Sequence, residues 1–480
     1  MFNNLNELKE IFRSKVIIFI LSRYIGYFML FINALFIARN LGVYFFGIYS
    51  FILLIIQYLN YANLGISYSL NYYLSVESSP NKKNNAIQDS LTLNLLISLI
   101  VIILFVLLYI FDFKFNNLNI SKFYIPIALI AIIQLFIQIY ISICRTYGIT
   151  KPIIFNQLVI PALQLPGFLF CKNEDLLHYI LITSFLGNLV SLIYFHFSYP
   201  IRFKYKFQAK NYNKLIIHGL NLLLYNVSYS LILTLGVTLV GIYFSIEDLA
   251  QYSFAATLSA ACLMILGSVA YLFYSKILNK LTTIKIKSEM AKFVNKLSKI
   301  YFESSLFLIL LIFNFTPVLY YFLPEYQPSK LIFKLLLIAY LIMTCTFGYN
   351  TLLVQTKKHI FLTKTALISI FSNGILSFFF IFFNLPFYFL ALSTILSSLL
   401  FVVVISNRAM ADFKSENGML EILFSNKYGL LILCFFTFYD NIFLTFTITL
   451  LYFLIRKNTL IEIITYSINT IKRKDVFHLD

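Results

Sequence analysis

Residues 36–51 read FIARNLGVYFFGIYSF. An apolar run ends at Arg39, glycines follow at Gly42 and Gly47, and the chain turns apolar again at once. This pattern joins two apolar helices through a short turn, where glycine gives backbone freedom and close approach. Arg39 then sits at the end of the first helix, where a long cationic side chain reaches lipid headgroups. The run before it, residues 16–38, is too long for the apolar core of a signal peptide. It also lacks a small-residue cleavage site, so it reads as a first transmembrane helix.

The composition supports that reading. Of 480 residues, 60% are hydrophobic and 12% charged, against about 25% charged in soluble proteins. So much apolar surface cannot be hidden in a water-soluble fold, and lipid must be its solvent. Five cysteines (Cys144, Cys171, Cys262, Cys345, Cys434) are scattered without metal or redox spacing, so they read as small core residues. No metal site or cofactor is expected. The five histidines stand alone, and no Walker motif or catalytic constellation is present, so the chain is not expected to be an enzyme.

Apolar stretches near 16–38, 43–75, 91–111, 123–145, 152–170, 178–198, 215–244, 250–275, 299–323, 330–355, 360–383 and 386–407 give twelve spans. A further stretch, 428–455, broken at Asp440-Asn441, adds a short hairpin and makes fourteen. With the N-terminus placed in the cytoplasm, 30 of the 37 Lys and Arg fall in loops on that side, six on the other, and Arg23 within the first span. That bias predicts cytoplasmic termini. It also accounts for the +18 charge through topology and anionic lipid, with no nucleic-acid partner.

The opening stretch recurs. Tyr49-Ser50-Phe51 returns as Tyr252-Ser253-Phe254, 203 residues on. Leu64-Gly65 returns as Leu266-Gly267, and Thr150-Lys151-Pro152-Ile153-Ile154-Phe155 as Thr356-Lys357-Lys358-His359-Ile360-Phe361, at offsets of 202 and 206. An offset of six spans puts both halves into the membrane from the same side, so the implied axis runs along the membrane normal. The expected fold is an all-α polytopic membrane protein of 12–14 helices. Its lobes are 1–205 and 206–410, and 411–480 forms a short hairpin with a basic tail.

The residues Ala38-Arg39-Asn40-Leu41-Gly42, Phe46-Gly47-Ile48-Tyr49-Ser50 and Asn63-Leu64-Gly65-Ile66 follow one another in an order that resembles the Wzx-type polysaccharide flippases of the MOP exporter superfamily. Pro324-Glu325-Tyr326 resembles that family's loop before its tenth helix, and the basic turn after residue 355 fits too. The resemblance covers essentially the whole chain. It implies a flippase moving an undecaprenyl-diphosphate-linked oligosaccharide between leaflets of the bacterial inner membrane, through a central cavity between two six-helix lobes. The partners it implies are that lipid-linked oligosaccharide, membrane lipids, and a polysaccharide polymerase with its chain-length regulator. The polymer could be O-antigen, capsule or exopolysaccharide.

Such a substrate needs polar side chains at membrane depth and a cation for its diphosphate. Gln134, Gln138, Ser142 and Arg145 share one helical face, as do His218, Asn221, Tyr225 and Tyr229. Gln57, Asn60, Ser67 and Asn71 lie on the second span, and Thr344, Thr351 and Gln355 on the tenth. Each side chain could equally bridge two helices as a packing contact. Arg23, with Tyr24 and Tyr27 beside it, is the leading candidate, because an arginine at depth costs roughly 2.5–3.5 kcal/mol and therefore faces a cavity or a partner. Its planar fork suits phosphate. The competing reading is snorkelling, since two turns above Lys15 is only about 11 Å. Arg39 ranks below it. Glu303 and Asp440 are the candidates for ion coupling.

Two other functions remain open. A cation-coupled multidrug exporter of the same superfamily would want a buried carboxylate in the first or seventh span. A polysaccharide polymerase or ligase would want a large outer loop, and the longest loop here, 276–299, is short.

Overall fold

The computed structural model describes residues 15–111, 120–201, 209–284, 286–356, 358–411 and 418–472. The side chains of Arg23, Tyr27, His218 and Asn221 lie outside the described residues. Every described element is helical.

Helix α1 (Lys15–Tyr61) carries the opening stretch and is followed by α2 (Ile66–Val76). Next come α3 (Pro80–Ile110), a 3-10 turn Ser121–Phe123, and α4 (Tyr124–Thr146). After these run α5 (Lys151–Gln164), the single turn α6 (Gly167–Phe170), α7 (Asn173–Ser198) and α8 (Ala209–Tyr243). The order then recurs: α9 (Ile246–Thr283), α10 (Lys287–Phe322), a 3-10 turn Pro324–Tyr326, α11 (Ser329–Thr344), α12 (Phe347–Gln355), α13 (His359–Phe382) and α14 (Phe389–Ala411). The chain closes with α15 (Gly418–Ser425), α16 (Lys427–Phe438), α17 (Ile442–Ile455) and α18 (Lys457–Lys472). The two 3-10 turns are 203 residues apart, the offset of the Tyr-Ser-Phe pair.

Local chemistry sets several helix starts. α3 and α5 begin with proline in the first turn, where its missing N–H costs no hydrogen bond. Ser245 and Asp248 cap α9 reciprocally: the Asp248 N–H donates to the Ser245 hydroxyl at 3.1 Å, and the Ser245 N–H to the Asp248 carboxylate at 3.3 Å.

Within α1, Gly42 breaks the helical path at φ 69°, ψ 170°, a region open almost only to glycine. Nothing fills the space a Cβ would take at Gly42, so conformation alone requires glycine there. Gly47 is needed for closeness: its added Cβ would overlap the Ile246 carbonyl.

The expected continuous span 43–75 is corrected. The helix stops at Tyr61, and α2 restarts after Leu64 (φ 51°) and Gly65 (φ 78°). Backbone contact is the reason. An added Cβ on Gly65 would overlap the Gly219 carbonyl of α8, and one on Gly219 would lie 2.5 Å from the Gly65 oxygen.

Ten helices among the described residues are long and apolar enough to cross a membrane, or twelve if each of two bent pairs counts as one span. The sequence expectation of 12–14 is higher partly because Tyr24–Tyr61 counts once here, although Gly42 divides it into two expected spans. On α13, Ile368, Phe371, Ile375, Phe378 and Phe382 are each more than half exposed. Their steps of three and four make a continuous apolar stripe of the kind that lipid covers.

The chain divides into two compact units: Met1–Val227 with Ser245–Ala250, and Ser228–Phe244 with Gln251–Asp480. The two units part along α8. The core of the first unit joins Leu70 and Leu74 of α2, Ile87 and Leu91 of α3, and Ile137 and Ile143 of α4. In the second unit α17 lies along α10, and α16 lies against α10 and α11.

Candidate functional site

The polar stripe of α4 meets the break between α1 and α2. Asn60 donates to Gln134 at 2.7 Å, and Gln138 donates back to Asn60 at 3.1 Å. Asn63 donates to Gln138 at 2.6 Å and to the Ser67 hydroxyl at 3.0 Å. Lower down, Ser142 donates to the Ser67 carbonyl at 3.0 Å, and Thr146 to Asn71 at 3.1 Å. Gln57 donates to the Tyr61 hydroxyl at 3.0 Å. The break explains the seam. Asn63 accepts from the Gly65 N–H at 2.7 Å, so a side chain replaces a helical bond lost at the turn. In hydrocarbon an unpaired backbone group costs several kcal/mol, by rough estimate.

Of the candidates Gln134, Gln138, Asn60 and Gln57, the structure brings the first three together. Asn63 is the residue the sequence reading passed over. It is 2% exposed and central to the network. Its position beside Leu64-Gly65 was the available signal. Gln57, Asn60, Gln134 and Gln138 are half-buried. Arg145 and Arg39 are exposed on α4 and α1, and Tyr225 is half-buried on α8.

Glu303 and Asp440 are not brought together. Glu303 of α10 is buried and accepts from Asn426 at 3.4 Å. Arg456 donates to Asn426 at 3.0 Å and to the Ser425 carbonyl. Asp440 lies at the other end of α16, about 18 Å away by helix rise. It is ion-paired to Lys334 at 2.6 Å and Lys330 at 2.8 Å. Burial opposes ionisation of Asp440, but the hydrogen bonds from Lys330 and Lys334 outweigh it and hold the carboxyl below its usual range. Lys334 is 2% exposed and also donates to the Phe436 carbonyl at 2.5 Å. Between these ends Asn314 donates to Thr449 at 2.8 Å. Both carboxylates thus belong to polar rungs that fasten the 428–455 hairpin to α10 and α11. Among the described residues no three His, Cys, Asp or Glu side chains could hold a metal ion.

A sequence profile described as "polysaccharide biosynthesis protein" matches residues 12–273, more than half of the chain. The chain belongs to this family. No curated protein sequence matches it significantly. Among solved structures it is similar to the lipid II flippase MurJ in an inward closed conformation, with a TM-score of 0.67 at 18% identity over 92% of this chain and 97% of that one. An inward-facing multidrug resistance MATE family transporter of the MOP superfamily gives 0.57 at 13% identity over 86% and 95%. A MOP superfamily transporter from Pyrococcus furiosus gives 0.53 at 14% identity over 84% and 97%. At such identities the likeness is one of fold: all-α, with many apolar helices.

Proposed function

We propose that the chain is a flippase for an undecaprenyl-diphosphate-linked oligosaccharide, carrying it by alternating access from the cytoplasmic to the periplasmic leaflet of the bacterial inner membrane. Family membership carries the reading. It joins polysaccharide assembly to a chain whose described bulk is membrane helix. The amide seam supports it, because hydroxyl-rich cargo needs amides at membrane depth that can exchange partners. The lysine and arginine bias supports cytoplasmic termini. Arg23 and Tyr27 are proposed, from the sequence, as diphosphate contacts. The half-buried Gln57, Asn60, Gln134, Gln138 and Tyr225 are proposed as sugar contacts. Arg39, Arg145, His218 and Asn221 are secondary candidates. A role of Glu303 or Asp440 in ion coupling would require it to leave the hydrogen bonds described above.

Deletion of the gene tests the reading. Lipid-linked repeat units should accumulate on the cytoplasmic face and surface polymer should vanish. Normal polymer with altered drug susceptibility alone would instead establish a multidrug exporter. Arg23→Ala should lower export at unchanged protein abundance, and unchanged export removes Arg23 from the path.

A further inference from the structure

A cavity of about 560 Å³ opens in the first unit between α2, α3 and the start of α8. α2 has two faces. The Ser67 carbonyl and the Asn71 side chain accept from α4, whereas Ser69, Tyr72, Tyr73 and Val76 line the cavity. The loop after α2 adds Glu77 and Ser78, and α3 adds Lys82, Asn85 and Asp89. We propose that this cavity is a carbohydrate subsite, which binds the sugar end of the lipid-linked cargo before it crosses. The proposal rests on the flippase reading.

The lining matches a sugar better than the other parts of such a cargo. Tyr72 and Tyr73 are 58% and 37% exposed, so they present flat apolar faces on which the C–H face of a pyranose can lie. Around them stand acceptors suited to hydroxyl donors: the carboxylate of Glu77 and the amide of Asn85. Glu77 is fixed in place. Its carboxylate accepts from the N–H groups of Ser79 at 3.0 Å and Ser78 at 3.1 Å, and faces Lys82 at 3.7 Å. The Ser79 N–H in particular holds this carboxyl below its usual range, so it is an acceptor at neutral pH. A lone metal cation would want a tight oxygen cage, whereas this volume falls in the range of small-molecule pockets, roughly 300–1,000 Å³. The segment 76–90 also lies on the side that the charge bias assigns to the cytoplasm, where the cargo is assembled.

The test uses full-length protein in nanodiscs and two probes. One is the lipid-linked oligosaccharide extracted from a host deleted for this gene; the other is undecaprenyl diphosphate without sugar. Tyr72→Ala and Asn85→Ala should each weaken the first probe about tenfold and leave the second unchanged, while Tyr72→Phe keeps wild-type affinity. Equal losses for both probes, or no loss in either alanine variant, overturn the subsite alone. A change confined to sodium dependence assigns the cavity to a cation and overturns it too. Wild-type protein that binds neither probe overturns the flippase reading and the subsite with it.

Discussion

Substituting Gly65 tests the junction on which the candidate site is built. Two costs add at Gly65. Its φ of 78° puts an alanine in the left-handed region, at about 1–2 kcal/mol. The new methyl would also overlap the Gly219 carbonyl, and relieving such overpacking costs about 1–3 kcal/mol. Gly65→Ala should therefore lose about 2–5 kcal/mol. Gly219→Ala carries only the second cost, about 1–3 kcal/mol, since no left-handed φ is needed there. Gly42→Ala carries only a conformational cost, about 1–3 kcal/mol, because nothing lies within 4 Å of its Cβ position. Thermal unfolding of detergent-purified protein, followed by fluorescence-detected gel filtration, ranks the three. The double variant Gly65→Ala/Gly219→Ala should cost less than the two singles combined, because one shift of the contact relieves both. If Gly65→Ala and Gly219→Ala both fall within about 0.5 kcal/mol of wild type, as ordinary surface changes do, the close backbone contact is refuted.

Other outcomes follow from the same geometry. Asp440→Asn leaves buried Lys334 without its carboxylate; removing one partner of a fully buried pair costs about 3–5 kcal/mol. With Asp440 48% exposed, about 1–3 kcal/mol is expected after discounting for solvent. Lys334→Met should recover much of that loss in the Asp440→Asn background, and an unrecovered melting temperature counts against the pairing. The depressed carboxyl of Asp440 contributes stability above its ordinary pKa, lost as pH falls through the folded value. The melting-point gap between wild type and Asp440→Asn should stay constant from about pH 8 to 5 and close only below about pH 4; closure near pH 6 would contradict the ion pair. Gln134→Ala should reduce polymer export beyond any fall in protein level, whereas a purely packing role would make the two fall in proportion.

Residues 36–51 disclosed a good deal in advance. Apolar runs and two glycines mark the turn at Gly42 and the approach at Gly47, because both are local consequences of side-chain size. The break at Asn63-Leu64-Gly65 was invisible as a break: three residues barely interrupt an apolar pattern, and its cause is a backbone on α8, far along the chain. The helical period placed Gln134 and Gln138 on one face, but a period cannot say which neighbour that face meets. Asp440-Asn441 was legible as an interruption, and Asn441 indeed caps α17. The partner of Asp440 was not, since Lys334 stands 106 residues away and reads in sequence as one more basic residue. The 203-residue offset reappears in the two 3-10 turns because each precedes the corresponding helix of its half.

The hairpin helices α16 and α17 have 12 and 14 residues, or about 18 and 21 Å at 1.5 Å per residue. A hydrocarbon core is about 30 Å thick. Their neighbours α15 and α18 turn away by 69° and 73°, so they extend the hairpin sideways more than across. Hydrophobic mismatch is the consequence. Such a mismatch is met by thinning of the lipid, by snorkelling of flanking side chains or by oligomerisation, at a cost of fractions of a kcal/mol per Å, by rough estimate. The polar rungs to α10 and α11 keep the hairpin from tilting away from that demand. Two helices this short, held in place by those rungs, favour a bilayer locally thinner than about 30 Å.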